Sequence, residues 1–248
     1  MKAILTWHSI DDSGSPISIP PAAFEGHVRW LTSGEVAVVP LEEIADVPEN
    51  LDAVALTFDD GFASVASVAA PLLNDAGLPC TVFVVSGRTG RDNSWGGRPE
   101  AGIPILPLLS WDNLGALADA GVTIGAHTRD HPDLTRLSDG DIAEQLDACA
   151  DEIETRLGRR PQSFAYPYGH VDDRSAKAVG ARFACAVTAD HDIVHAGSDR
   201  YLLPRLDMYY YQRPERLAAW GTPAFGRYLA LRRAGRAARS LVSRWGNA

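Results

Sequence analysis

The stretch Val54-Ala55-Leu56-Thr57-Phe58-Asp59-Asp60-Gly61-Phe62 places two adjacent carboxylates directly after a mostly apolar run. The apolar run predicts a strand that is buried on both faces. Neighbouring anions repel each other, and burying either one is costly unless a cation lies close by. The sequence therefore predicts that another segment brings a positive charge to Asp59 and Asp60.

Short apolar runs alternate with helical stretches along most of the chain. This alternation predicts an α/β fold with a parallel sheet, either open or closed into a barrel. Predicted strands cover residues 3–7, 36–39, 53–58, 80–85, 122–126, 163–166 and 183–187. Predicted helices cover about 24–31, 70–76, 111–120 and 138–157. In such folds chemistry gathers at the C-terminal ends of the strands, where Asp59 and Asp60 lie.

A second strand is followed by His127-Thr128-Arg129-Asp130-His131-Pro132. One helical turn would place two imidazoles four residues apart on the same side, and Pro132 requires that turn to be short. Two histidines and one aspartate at two strand ends are a common ligand set for a catalytic metal, with positions left for water and substrate. Each motif alone is more often a cap or a surface pair, and their joint placement favours the metal site.

Three motifs in this order, TFDDG at 57–61, HTRDHP at 127–132 and AYPYG at 165–169, resemble the polysaccharide deacetylase family (NodB-homology domain, carbohydrate esterase 4). The resemblance runs from about residue 4 to residue 209. It implies a distorted (β/α) barrel of about seven strands and a metal-dependent hydrolase that removes acetyl groups from N-acetylated sugars. Residues 1–221 are expected to form this catalytic domain, and residues 222–248 a basic helical tail.

The resemblance also implies a role for individual residues. Asp60, His127 and His131 correspond to the ligands of one divalent metal ion. Zinc is the default, and cobalt, nickel or iron could occupy the same site. Asp59 corresponds to the general base that deprotonates the metal-bound water, and the backbone N–H of Tyr168 to a donor for the oxyanion.

The sequence departs from the family pattern in two places. The third motif usually begins with an arginine that orients the catalytic aspartate, and Tyr166 stands there instead. Arg205 is a candidate substitute, with a structural arginine on an exposed turn as the alternative. The general-acid histidine usually comes late, but His191 and His195 lie in a polar stretch. His8 follows an apolar strand, as in a permuted subgroup that includes poly-N-acetylglucosamine deacetylases, and is the expected general acid; a buried histidine bonded to backbone is the alternative.

Substrate contacts are expected from two segments. The long segment 86–109 is rich in Gly, Pro, Arg and Asn, which is typical of a binding loop. Its Trp95 could stack on a sugar ring, although an anchoring tryptophan in a surface loop is an equal alternative. The third motif supplies Tyr166, Pro167 and Tyr168.

Two histidines outside the motifs receive other interpretations. His27 lies in a predicted amphipathic helix and is expected on its surface. His170 follows the third motif and is expected to be a turn residue, with a contact to substrate as the alternative.

Charge is unevenly distributed along the chain. The net charge of −9 argues against a general nucleic-acid binder. Seven arginines and no acids follow from Arg216 onward, so the preceding chain carries −16. Apolar residues beside these arginines suggest an interfacial helix on an anionic membrane, and the alternative is a terminal helix packed on the acidic body. A cytoplasmic location is expected, because three separated cysteines and the absence of a signal peptide or membrane span favour it.

Three functions follow from these interpretations. The leading one is deacetylation of an N-acetylated sugar, oligosaccharide or glycan precursor. The same machinery could instead hydrolyse another C–N bond, such as a formamide or cyclic amide. A carbohydrate-binding relative without turnover is the third, supported by the missing motif arginine. The sequence leaves the sugar, its polymer length and the oligomeric state open.

Overall fold

A curved sheet of parallel strands forms the centre of the molecule. The computed structural model describes residues 1–95 and 102–245, with side chains as far as Gly235. The strands are β1 (Lys2–Trp7), β2 (Ser9–Ile10), β3 (Ser18–Ile19), β4 (Ala37–Val38), β5 (Ala53–Phe58), β6 (Thr81–Val84), β7 (Thr123–Ala126), β8 (Ser163–Ala165), β9 (Cys185–Val187) and β10 (Leu206–Asp207). Seven follow one another in the order β10-β1-β5-β6-β7-β8-β9, and β4 pairs with the beginning of β5.

The two ends of this sheet approach each other. Leu203 donates its N–H to the carbonyl of Ala186 at 3.0 Å, and its own carbonyl accepts from the N–H of Thr188 at 2.9 Å. A few residues later, β10 pairs with β1 through Leu206. The segment from Leu203 to Leu206 therefore contacts β9 at one end and β1 at the other. The sheet thus curls into the predicted distorted barrel of about seven strands.

Strand register sorts the side chains into two apolar cores. Every residue of β1 and β5 is buried, as expected for strands covered on both faces. Alternate residues such as Ile4, Ala55 and Phe83 form a small core inside the barrel. The residues between them pack outward against the helices in a larger core. The inward-facing set continues along β5 through Thr57 to Asp59, so the strand itself aims this carboxylate into the barrel mouth.

Helices cover the outside of the barrel. They are α1 (Pro21–Leu31), α2 (Ala70–Asp75), α3 (Trp111–Asp119), α4 (Asp139–Leu157), α5 (Asp173–Gly180), α6 (Pro214–Leu217) and α7 (Pro223–Trp245). In α4 the Ser138 hydroxyl caps the N–H of Asp141, and Gly158 ends the helix at φ 70°, as the sequence predicts. A π-helical turn at Val65–Ala69 precedes α2, so helical structure begins earlier than predicted.

The prediction that His27 lies on the surface of its helix is wrong. His27 is buried in α1, where Trp7 donates its indole N–H to Nδ1 at 3.2 Å and Nε2 lies 3.1 Å from the carbonyl oxygen of Tyr211. The neutral tautomer with a proton on Nε2 satisfies both contacts. Burial lowers the pKa of His27 to about 4. Histidine is a polar residue, so nothing in the sequence indicated this core position, in which both ring nitrogens have hydrogen-bond partners.

The basic tail begins as a helix packed on the body. Phe225, Tyr228 and Leu229 of α7 are buried. The guanidinium of Arg216 lies 4.0 Å from the ring centre of Tyr228. Arg233 forms an ion pair with Asp192 at 2.9 Å. The first turns of α7 therefore belong to the folded body, while Leu231 beside them is 68 % exposed. Residues 246–248 of the predicted tail lie outside the described residues.

No helix among the described ranges is long and apolar enough to cross a membrane.

Candidate active site

Four strand ends meet at one mouth of the barrel. His8 follows β1, Asp59 and Asp60 follow β5, His127 follows β7 and Tyr166 follows β8. Their side chains line a cavity of about 220 Å³. The other lining residues are Thr6, Ile17, Asn93, Trp95, Ile103, His131, Tyr168, Gly169, Ala189, Arg205 and Asp207. The segments that the sequence singled out therefore share one site.

Asp59 is held by a buried arginine. The two terminal nitrogens of Arg205 each donate to one carboxylate oxygen of Asp59 at 2.7 Å, which is the bidentate geometry of a strong ion pair. Nε of Arg205 donates to the carbonyl of Thr188 at 2.8 Å. Burial acts to raise the pKa of Asp59, but the adjacent guanidinium outweighs it and holds that pKa well below its ordinary value. Arg205 therefore contacts Asp59, as predicted for a residue that substitutes for the motif arginine.

Asp60 faces two histidines instead. Its Oδ1 lies 3.3 Å from Nε2 of His127 and 3.4 Å from Nε2 of His131. All three side chains are buried, and one donor atom from each lies within 4.8 Å of the others. Oδ1 of Asp60 is buried and makes no hydrogen bond within the described chain. A buried anionic oxygen of this kind is costly unless a cation contacts it.

These three residues fit a divalent metal ion. Two ligands about 2.0–2.1 Å from a tetrahedral ion lie about 3.3 Å apart, close to the observed separations. Nδ1 of His127 lies 2.6 Å from the carbonyl oxygen of Ala165, so it carries the proton and Nε2 presents its lone pair. Burial lowers the pKa of His131 to about 3, which keeps that imidazole neutral. Burial acts to lower the pKa of His127, but the neighbouring Asp60 and Asp59 carboxylates outweigh it and raise that pKa. The set therefore offers two imidazole nitrogens and one carboxylate oxygen.

Unusual backbone geometry aims these side chains. Asp60, Thr128, His131 and Tyr168 have φ of 68°, 64°, 62° and 60°, and they are the non-glycine residues with positive φ in the described chain. All four lie in the motifs that form the site. The Thr128 hydroxyl accepts from the N–H of His131 at 3.0 Å and holds the turn between the two histidines. The turn is therefore short and abrupt, as Pro132 predicts.

The expected general acid lies beside the expected base. Nε2 of His8 is 3.8 Å from Oδ2 of Asp59, and the His8 side chain is 28 % exposed. It is thus neither fully buried nor remote from the carboxylates. The alternative of a buried histidine tied to backbone does not fit this exposure.

Among the expected substrate contacts, Trp95 and Tyr168 both contact the ring of His131. The ring centre of Trp95 is 4.4 Å from that of His131 in a stacked arrangement, and the ring of Tyr168 is 4.6 Å from it edge-on. Tyr166 lines the cavity, but its hydroxyl donates to the carbonyl of Tyr201 at 3.1 Å. Pro167 is buried and is not among the described residues that line the cavity. Part of the predicted binding loop, residues 96–101, lies outside the described residues.

Sequence reasoning missed the polar residues that support Arg205. The hydroxyl of Thr6 accepts from Arg205 at 3.0 Å, and the hydroxyl of Thr57 lies 3.4 Å from the same nitrogen. Both residues stand two positions before a site residue, His8 and Asp59. Because alternate strand residues share a face, this spacing was a usable signal for inward-facing hydroxyls.

The late histidines are not among the described residues that line the cavity. His191 is buried, and its Nε2 is 3.4 Å from the hydroxyl of Tyr211. His195 is exposed beside Asp192, next to Val194, which bridges to Lys2 at the opposite end of β1 from the site. Neither lines the cavity, so the strand-end position of His8 distinguishes it from both.

Comparison with known families agrees with the fold. The family model for polysaccharide deacetylases matches residues 46–184, more than half of the chain. The protein belongs to the polysaccharide deacetylase family, whose members are hydrolases of N-acetyl amide bonds in sugars.

Two relatives that match most of this chain each share less than a quarter of the aligned residues with it. The YxkH protein of Bacillus subtilis is 24 % identical over 82 % of this chain and 70 % of its own length. The poly-β-1,6-N-acetyl-D-glucosamine N-deacetylase of Staphylococcus aureus is 22 % identical over 76 % of this chain and 67 % of its own.

Among solved structures, the deacetylase PplD of Streptococcus pyogenes, in complex with acetate, has a TM-score of 0.73 at 22 % identity. The alignment covers 89 % of this chain and 98 % of that chain. IcaB from Ammonifex degensii gives a TM-score of 0.72 at 22 % identity, covering 88 % and 94 % of the two chains. These structures share the fold of this protein.

Proposed function

We propose that this protein is a metal-dependent amide hydrolase that removes the acetyl group from an N-acetylated sugar in an oligosaccharide, polymer or glycan precursor. The observation that carries the proposal is the unequal environment of two adjacent carboxylates. Arg205 holds both oxygens of Asp59, whereas Oδ1 of Asp60 faces two imidazole nitrogens. Membership of the polysaccharide deacetylase family supports the same reaction.

Asp60, His127 and His131 would hold one divalent ion. Zinc is the default for this set of two nitrogens and one oxygen, and cobalt, nickel or iron also suit it. When bound, the ion supplies Lewis acidity to the attacking water and to the amide carbonyl.

Asp59 would accept a proton from the attacking water. Because Arg205 keeps its pKa low, Asp59 is ionised at neutral pH and can act as the base. The same fork fixes the direction of its oxygens, and the contacts of Arg205 with Thr6 and Thr188 fix the fork. The arginine is thus a positioning residue for the base.

His8 would donate a proton to the departing nitrogen, which leaves as a free amine while acetate forms. Its Nε2 lies 3.8 Å from Asp59, so acid and base border the same part of the cavity. The backbone N–H of Tyr168 would donate to the oxygen that gains charge when water adds to the carbonyl. Trp95 and Tyr168 would contact the sugar, with Tyr166 and Pro167 supporting the turn from behind.

Of the two alternatives, the non-catalytic carbohydrate binder loses its main support. That support was the absence of the motif arginine, and Arg205, the residue before β10, contacts both oxygens of Asp59. Hydrolysis of a formamide or cyclic amide would use the same residues. Only the size and shape of the acyl group would distinguish such a substrate from an N-acetylated sugar.

Hydrolysis of a panel of N-acetylated sugars, formamides and cyclic amides tests the proposal, measured as acetate release, formate release and ring opening respectively. We expect release from an N-acetylated glycan, its loss with a chelator, and its return with zinc, cobalt, nickel or iron added singly. The N-acetylglucosamine polymer named for the staphylococcal relative is the first substrate to try. Activity that survives complete metal removal would contradict the mechanism, and turnover of the formamides alone would contradict the substrate class.

The location and the tail belong to the same proposal. We place the protein in the cytoplasm, supported by its three buried, unpaired thiols. There the arginine-rich tail would contact an anionic membrane surface peripherally. Sedimentation with anionic and neutral vesicles tests this contact, comparing the full chain with a truncation after Gly235. This truncation keeps Phe225, Tyr228 and Leu229, and equal sedimentation of both proteins would remove the membrane proposal.

A further inference from the structure

Four aromatic rings form a continuous ladder that starts at the candidate metal site. The ring centre of Trp95 is 4.4 Å from that of His131, His131 is 4.6 Å from Tyr168, and Tyr168 is 5.9 Å from His170. The proposed mechanism uses the first three of these residues. His170 is the fourth, and neither the cavity lining nor the proposed chemistry assigns it a role.

Exposure rises from His131 outward, whereas Trp95 at the other end of the ladder is half-buried. His131 is 6 % exposed, Tyr168 44 % and the His170 side chain 59 %. The ladder therefore leads from the buried end of the cavity to solvent. A substrate that extends out of the cavity on this side would pass over Tyr168 first and His170 next.

His170 is held in place although it is exposed. Its Nδ1 lies 2.9 Å from Oδ2 of Asp133. The other oxygen of Asp133 accepts from the N–H and the hydroxyl of Thr135 at 3.0 and 2.7 Å. Asp133 is thus fixed by a local turn, and it fixes the imidazole in turn. A tethered polar ring loses less freedom on binding than an untethered side chain, which suits a ligand contact.

The size of the cavity indicates what such a contact would meet. Its volume of about 220 Å³ is below the roughly 300–1,000 Å³ of pockets that enclose drug-sized ligands. It offers room for little more than one sugar residue. The neighbouring residues of a longer glycan must therefore lie outside it, over the rim.

We propose that His170, positioned by Asp133, forms an outer subsite for the sugar residue next to the one that is deacetylated. The aromatic face of Tyr168 would pack against the apolar face of this sugar, and the imidazole of His170 would hydrogen-bond one of its hydroxyls. The inference rests on the proposed function and narrows it to an oligomeric or polymeric glycan rather than a free monosaccharide.

Binding measurements on metal-loaded protein that carries Asp59→Asn, which should bind the glycan but lacks the proposed base, test the subsite. The probes are a β-1,6-linked N-acetylglucosamine tetramer and the methyl glycoside of the monomer, titrated by calorimetry or NMR. Removing one hydrogen-bonding side chain typically weakens binding by about fivefold to tenfold. We expect that increase in Kd for the tetramer in His170→Ala and no change for the monomer. His170→Gln, which keeps a donor towards Asp133, should recover part of the tetramer affinity.

The chain offers a matched control for this experiment. His195 has the same side-chain exposure of 59 % and also faces an aspartate, Asp192, at 3.6 Å. It lies at the opposite end of the barrel, so His195→Ala should leave both Kd values unchanged. A tetramer Kd unaffected by His170→Ala, or equal weakening for tetramer and monomer, would overturn the subsite.

Acetate release, measured separately on the unsubstituted protein, reports on the proposed function. Release that persists while tetramer affinity ignores His170 would leave the deacetylase in place and remove the subsite. Affinity that depends on His170 without any release would keep the subsite and remove the deacetylase.

Discussion

Asp59 and Asp60 are neighbours in the chain, yet they lie in opposite surroundings. Asp59 turns inward along β5 and meets the guanidinium of Arg205, which contacts both of its oxygens. Asp60 turns aside in a left-handed conformation and leaves Oδ1 beside two imidazole nitrogens. One carboxylate has a cation from the chain itself, and the other is arranged for a cation from solution.

This difference answers how a chain can bury two adjacent anions. Arg205 balances the charge of Asp59 at all times and fixes the orientation of its carboxylate. Both properties suit a group that accepts and releases a proton in every catalytic cycle. Among the described residues, Asp60 pairs with His127 and His131 and with no arginine or lysine, so a bound cation would complete its charge balance. Substitutions on the two sides should therefore have different consequences, which the following predictions order by size.

The largest effect is expected on the histidine side. Asp60→Asn removes the anionic ligand, so metal affinity should fall by more than the roughly 10–100-fold seen when a supporting partner of a ligand is lost. Activity should fall with it. Metal titration of the purified variant is the measurement. If Asp60→Asn binds zinc as tightly as the unsubstituted protein, Asp60 is not a ligand.

The next effect is expected on the arginine side. Asp59→Asn removes the proposed base and should lower kcat by roughly 10²–10⁴, the range for general-base catalysis. Metal affinity should stay within a few-fold, because this carboxylate does not face the histidines. Steady-state kinetics and metal titration on the same preparation separate the two carboxylates. Loss of metal from this variant would show that they act as one unit.

Removing the arginine should cost stability and shift the pH profile. Arg205→Met leaves Asp59 buried without its partner, which typically costs about 3–5 kcal/mol. In the unsubstituted protein the pKa of Asp59 is lowered, so its stabilising contribution is present above the ordinary pKa and lost as pH falls through the lowered one. In Arg205→Met burial dominates and raises that pKa, so the acid limb of activity should move to higher pH.

Denaturant unfolding and a pH–rate profile check this prediction. Arg205→Lys is the matched variant, since it keeps the charge and loses the fork. It should fall between the unsubstituted protein and Arg205→Met in both measurements. An acid limb that stays in place in Arg205→Met would show that Asp59 does not set it.

The smallest effect concerns a buried histidine away from the site. His27 and His131 both have pKa values lowered by burial, but both nitrogens of His27 have partners, whereas Nδ1 of His131 makes no hydrogen bond within the described chain. The folded pKa of His27 is about 4 against an ordinary 6.5. Its neutral form therefore stabilises the fold fully above pH 6.5, and this stability is lost as pH falls towards 4.

The loss should be at most about 3 kcal/mol, because one unit of pKa corresponds to about 1.4 kcal/mol. His27→Gln cannot titrate, so its unfolding free energy should depend less on pH between 6.5 and 4. The difference between the two pH dependences isolates this residue from the carboxylates. Parallel curves would mean that folding does not lower the pKa of His27.

The sequence predicted which residues lie together where chemistry-bearing residues follow a strand directly. Asp59, His127 and His8 each come right after an apolar run, and a parallel barrel brings such ends together. The helix that begins after Ser138 was equally predictable, because its N-cap, the spacing of its apolar residues and its terminal glycine all indicate the same helix.

Contacts between distant segments were harder to predict. Arg205 could be proposed as a substitute, but only the closure of the barrel by the segment from Leu203 shows that it reaches Asp59. His27 was assigned to the surface because helix periodicity does not reveal that Trp7 and Tyr211 offer it partners. Long-range hydrogen bonds of this kind leave no local pattern in the sequence.

The left-handed residues have a consequence for attempts to alter this protein. Asp60, Thr128, His131 and Tyr168 occupy backbone geometry that glycine adopts freely and other residues adopt at about 1–2 kcal/mol each. A screen that rewards heat resistance alone would favour glycine at Asp60 and Tyr168, whereas Thr128 and His131 are buried and joined by a hydrogen bond. The selected protein would have a more stable barrel, but the barrel mouth would lack side chains that form the site. Such screens therefore need an activity readout in every round.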